Sequence, residues 1–168
     1  DHFSPIADKW FANLDVFRRD LQQLDKMFSG IHTITLLGGE PLLHPQVERF
    51  LFITREYFPK AHVILMTNGI LLDKMPVSFW KSCKETSAEL FFDVYPPLFD
   101  NEEYLVALAR SKGVPIKCFK VQEFQACLNL KGDSNPDVTF NNCSFRMIHQ
   151  LREGKIYTCA ITMVIKNF

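Results

Sequence analysis

Four short apolar runs recur along the chain, each followed or preceded by a helix-period segment. They are residues 31–37, 62–67 (HVILMT), 88–95 (AELFFDVY) and 114–119. Their ends lie about 25 to 30 residues apart, the length of one strand-plus-helix unit. The runs are apolar throughout rather than alternating, which points to parallel strands buried under helices on at least one face. Between them, Trp10, Phe11, Leu14, Phe17, Leu21, Leu24 and Phe28 recur in steps of three and four, predicting a helix over 8–28 with Gly30 as its stop. Further helices are expected between Pro45 and Pro59, from Pro76 through Phe79, Trp80 and Cys83, and over 101–112 with Gly113 as cap. Because the chain opens on a helix, a strand ahead of Asp1 is expected.

From Val121 the character changes. Residues 129–142 (NLKGDSNPDVTFNN) carry the Gly, Asn, Asp and Pro of a loop, and 151–157 set turn residues between apolar segments, as in a β-hairpin. The organisation read from this is a βα core over 1–120 and a C-terminal appendage over 121–168.

The totals exclude several function classes. The 168 residues, 47% hydrophobic and 23% charged, suit one globular domain with a substantial core. A net charge of zero leaves no footprint for nucleic acid. No apolar run reaches a membrane span, and no signal peptide opens the chain. The five cysteines are odd in number and widely spaced, so a disulfide framework is not expected and a reducing, cytoplasmic setting is.

Ligands of parallel α/β folds sit at the carboxyl ends of the strands. The polar residues expected there are Gly38, Gly39 and Glu40, then Thr67, Asn68 and Gly69, then Asp93 and Tyr95, then Lys117, Cys118 and Lys120. Gly-Gly and Asn-Gly serve equally as tight turns. Glycines also let a ligand lie against bare main chain, and the carboxylate of Glu40 can accept from a cation such as an α-ammonium. No lysine comes after them as in a P-loop, and no G-x-G-x-x-G is present, so an amino-acid-like ligand explains the segment better than a phosphate does. His44 and His149 read as structural, and Arg18, Arg19, Glu48 and Arg49 as solvated.

The strand leading into Gly38-Gly39-Glu40-Pro41, with Thr67-Asn68-Gly69 after the next strand, resembles the radical S-adenosylmethionine enzymes over residues 1–120. The resemblance implies an open, partial (β/α)6 TIM-like barrel with its first strand missing. It also implies that Gly38, Gly39 and Glu40 contact the methionyl end of S-adenosyl-L-methionine, with Asn68 nearby. Asp93 stands where the family's ribose contact, often Ser or Thr, is found. The implied activity is that of an oxidoreductase-type, metal-binding enzyme. Its [4Fe–4S] cluster and an external electron donor generate a 5′-deoxyadenosyl radical that abstracts hydrogen from an unknown substrate.

One element of the family pattern is missing: no Cys-x3-Cys-x2-Cys occurs in the sequence. The segment from Asp1 to Pro5 is similar to the stretch just downstream of that loop in the family. The cysteines are therefore expected upstream of Asp1, and the 168-residue chain alone is expected to be inactive. The tail, Cys143 and Cys159 flanking 150–157, is similar to family tails that ligate an auxiliary iron–sulfur cluster, which Cys118 and Cys127 could join. The same cysteines also read as inert small hydrophobes. An alternative is a non-catalytic nucleotide- or metabolite-binding module that has lost the cluster. A third reading is a small-molecule transferase in which Gly38-Gly39 is only a turn.

Overall fold

The computed structural model describes residues 9–121, 129, 131–143 and 145–164. They form two compact units, one of residues 11–121 and one of residues 9–10 with the described residues after 128.

The first unit alternates helix and strand: α1 (Leu14–Met27), β1 (Thr33–Leu36), α2 (Val47–Tyr57), β2 (His62–Thr67), α3 (Val77–Glu85), β3 (Glu89–Val94), α4 (Glu102–Ser111) and β4 (Ile116–Lys120). The strands pair in the order β1-β2-β3-β4, all parallel, the sequential connectivity of a partial TIM-like barrel. The expected fold class is therefore what the chain adopts.

Side chains alternate across the strands, so the register separates two faces. Val63, Leu65, Leu90, Phe92 and Val94 enter the buried cluster with Leu51, Phe79, Trp80, Leu105 and Ala109 from the helices. Each large apolar side chain among them contributes on the order of 1.5–3 kcal/mol on removal from water. The other parity places Thr35, Met66, Phe91 and Phe119 in cross-strand neighbourhood on the opposite face, where Phe119 is 48% exposed.

Local signals explain the element ends. α1 begins later than expected because Asn13 Oδ1 accepts from the N–H groups of Asp15 and Val16, a side-chain cap that fixes the first turn. Trp10 is therefore outside the helix; it lies in the second unit, where the Arg152 guanidinium carbon sits 4.1 Å from its ring centroid. Gly113, at φ +71°, caps α4 as expected, with Val114 N donating to Ala109 O. Arg55 carries no sequence signal, yet it ties several turns together. Its Nε donates to Thr86 O at 2.8 Å and its Nη1 to Pro59 O and Ala61 O at 2.8 Å each, closing the end of α2 against the turn before β3.

In the second unit, β5 (Gln150–Arg152) and β6 (Lys155–Tyr157) form the expected antiparallel hairpin. Ahead of it, residues 129–142 are not all loop: α5 spans Pro136–Asn142, and after the hairpin comes α6 (Ala160–Val164). Asn135 accepts from Val138 N and Pro136 takes the first helical position, so the residues that signalled a loop are those of a helix start.

Candidate functional site

The carboxyl ends of β1 and β2 are joined through one carboxylate. Glu40 Oε1 accepts from Leu42 N at 2.9 Å and from the Thr67 hydroxyl at 2.7 Å, while Oε2 accepts from Asn68 N at 2.9 Å. The first bond makes Glu40 the cap of the 3-10 turn Pro41–Leu43, and the others reach across to the end of β2. A carboxylate offers about four acceptor places, so these three donors leave one, on Oε2. Among the described residues Glu40 has no ion-pair partner.

Gly38 is exposed, its φ lies outside the left-handed region, and a Cβ built there meets no atom of the described residues within 4 Å. Neither the local backbone nor packing demands glycine there. Gly69 differs: φ is +77°, and a Cβ would stand 2.2 Å from Phe92 Cε2. The Asn-Gly pair is thus a turn that the fold requires. Asn68 Oδ1 accepts from Ile70 N, which leaves its amide N–H groups without a protein partner among the described residues.

Asp93 is half-buried near the end of β3, and burial pushes its carboxyl above the ordinary range. The Tyr95 phenol is raised too, chiefly by burial and further by the negative charges of Asp93 and Glu40. The negative charges of Asp93 and Glu40 both act on the Tyr95 phenol, so its neighbourhood is acidic.

Of the three positions expected at the end of β4, Lys120 stands at the carboxyl end as expected, while Lys117 and Cys118 lie elsewhere. Lys117 pairs with Glu89 at 3.2 Å, and Glu89 also meets His62 at 2.8 Å. Glu89 opens β3, so Lys117 marks the amino end of the sheet, away from Glu40. Cys118 sits on the helix-covered face of β4, beside α4 residues Glu102 and Val106, where burial raises its thiol pKa. Lys120 pairs with Glu102 at 2.8 Å. A five-residue strand has its two ends so close in sequence that spacing alone does not separate them.

His44 is structural, as expected. Its Nε2 lies 3.0 Å from Ala12 O and its Nδ1 accepts from Gln46 N, with the ring edge-on to Phe11 and Phe50. Of the cysteines, Cys143 is half-buried and Cys159 exposed in the second unit, and Cys127 lies outside the described residues. Among the described residues no three His, Cys, Asp or Glu side chains come together as a metal site. No described helix is long and apolar enough to cross a membrane.

No family model and no curated protein matches the chain. Among solved structures, the crystal structure of BtrN in complex with AdoMet and 2-DOIA is similar, at 20% identity and a TM-score of 0.46. The match covers 68% of this chain and 46% of that one, so the chain spans less than half of the BtrN chain. A likeness of this degree assigns neither a site nor an activity here.

Proposed function

We propose that the carboxyl ends of β1 and β2 bind the amino-acid end of S-adenosyl-L-methionine, and that the chain is the cofactor-binding core of a radical S-adenosylmethionine enzyme. The observation that carries this reading is the unspent acceptor place on Glu40 beside a glycine that the fold itself does not require.

The residues fit the methionyl group. Glu40 Oε2 accepts one N–H of the α-ammonium, a charge-assisted bond in an acidic neighbourhood. The Asn68 amide donates to the α-carboxylate, and Gly38 and Gly39 let the ligand backbone lie against the chain. Asp93 offers its carboxyl to a sugar hydroxyl. Bound, the cofactor supplies a sulfonium whose carbon–sulfur bond can be broken by an electron. The residues do not fit the [4Fe–4S] cluster: the cysteine motif is absent from the sequence and no metal group assembles among the described residues. The radical chemistry, the substrate and the electron donor are those proposed for a longer protein.

Calorimetric titration of the chain with S-adenosylhomocysteine tests the reading. Saturable binding that Glu40→Gln weakens supports it, and no binding at millimolar ligand overturns it. Incubation of the chain with S-adenosylmethionine and a strong reductant is expected to yield no 5′-deoxyadenosine. Because no metal group assembles among the described residues, a non-catalytic binding module is the second reading. Three cysteines at the family spacing encoded ahead of Asp1 favour the enzyme, and their absence from the native gene favours the module.

A further inference from the structure

We infer that Thr67 is a positioning residue: it holds Glu40 as a one-point acceptor and so sets the site's preference for a ligand's amino group. The inference rests on the S-adenosylmethionine reading and deepens it. Thr67 ends β2 and is 3% exposed. Its hydroxyl has one proton and spends it on Glu40 Oε1 at 2.7 Å, while its oxygen accepts from Gly69 N at 3.1 Å. The hydroxyl is therefore fixed from both sides, by the required turn and by the carboxylate.

With Leu42 N on the same oxygen, Oε1 has no place left for a ligand. Oε2 accepts from Asn68 N alone, which leaves it one acceptor place. A primary ammonium needs one such place. A guanidinium, which binds carboxylates through two parallel N–H groups, needs both oxygens open. Removing the Thr67 proton would open one place on Oε1, leave that oxygen held by Leu42 N alone, and loosen the orientation of the carboxylate. The effect falls on the ammonium contact and not on the sugar or base, which Thr67 does not approach through Glu40.

The test uses Thr67→Val, Thr67→Ser and the unmodified chain, titrated with S-adenosylhomocysteine and with its deaminated counterpart. Thr67→Val is expected to weaken S-adenosylhomocysteine about tenfold, the value of one hydrogen bond to a charged group, and to leave the deaminated ligand unchanged. Thr67→Ser, which keeps the hydroxyl, is expected to restore the difference. Equal weakening of both ligands by Thr67→Val would reduce Thr67 to a structural part and overturn the inference, as would unchanged affinity for S-adenosylhomocysteine. A second readout needs no ligand: amide exchange at Leu42 and Asn68, both donors to Glu40, is expected to quicken in Thr67→Val and not in Thr67→Ser. Unchanged exchange overturns the hold on Glu40. Failure of the unmodified chain to bind either ligand overturns the S-adenosylmethionine reading instead, while the exchange result still decides whether Thr67 fixes the carboxylate.

Discussion

Gly38 and Gly69 stand just past the ends of two adjacent parallel strands, in segments that look alike on paper, and the molecule treats them oppositely. Gly69 is buried, left-handed at φ +77°, and has the Phe92 ring where a Cβ would go. Gly38 is exposed, its φ is outside the left-handed region, and no described atom stands where its Cβ would go. A glycine that the fold requires says nothing about a ligand. A glycine that it does not require, next to a carboxylate with a place to spare, does. The difference teaches which half of a glycine motif belongs to architecture and which half is left for chemistry.

The largest effect that tests this contrast is on Gly69. Replacing it with alanine combines left-handed strain of about 1–2 kcal/mol with overpacking against Phe92 of about 1–3 kcal/mol, so Gly69→Ala is expected to lose about 3 kcal/mol in urea unfolding. A loss under about 1 kcal/mol would show that Phe92 yields and that the two glycines are less different than they look. Next is Glu40, the link between the two segments. Glu40→Ala leaves Leu42 N, Asn68 N and the Thr67 hydroxyl without their acceptor, a cost of about 2 kcal/mol in the same measurement. A neutral outcome would mean that water replaces the carboxylate freely and that the strand ends are not tied.

How far the sequence reaches is visible in the same residues. The βα alternation is legible because each strand carries its own apolar run and each helix its own period, both local signals. The GGEP and TNG segments are legible as strand ends for the same reason. What separates Gly38 from Gly69 is not, because the deciding atom belongs to Phe92, far along the chain. Nor is the threefold use of Glu40, since two of its donors arrive from the end of another strand. Lys117 belongs at the opposite end of the sheet from the one its place in the sequence suggests, and its partner Glu89 again comes from a neighbouring strand. The short helix α5 escapes a sequence reading because Asn135 and Pro136 mark loops and helix starts alike. The cysteine set of the tail rests partly on Cys127, outside the described residues.

A smaller effect on stability, with a larger one on binding, is expected at Gly38. Gly38→Ala meets neither strain nor contact among the described residues, so stability should change by less than about 0.5 kcal/mol. The added methyl does occupy the space in which the ligand backbone would lie, so affinity for S-adenosylhomocysteine should fall about tenfold or more. Equal affinity would return Gly38 to the status of a plain turn and remove the contrast altogether.

The smallest effect concerns Asp93 and is a matter of sign. Burial raises its carboxyl pKa above the ordinary aspartate value, so between that value and the raised one the folded state holds more of the proton than the unfolded state does. Stability from this group is thus full below the unfolded pKa and is lost as pH rises through the folded one. Above the folded pKa the ionised, half-buried Asp93 is a net cost. Asp93→Asn, which cannot ionise, should therefore be more stable than the unmodified chain above that pKa, by less than either of the losses at Gly69 and Glu40. Its advantage should shrink as the pH is lowered through the carboxylate range. An advantage that grows on acidification would mean that Asp93 has a cationic partner in the folded protein. The acidic neighbourhood invoked to attract the ligand's ammonium would then already be neutralised.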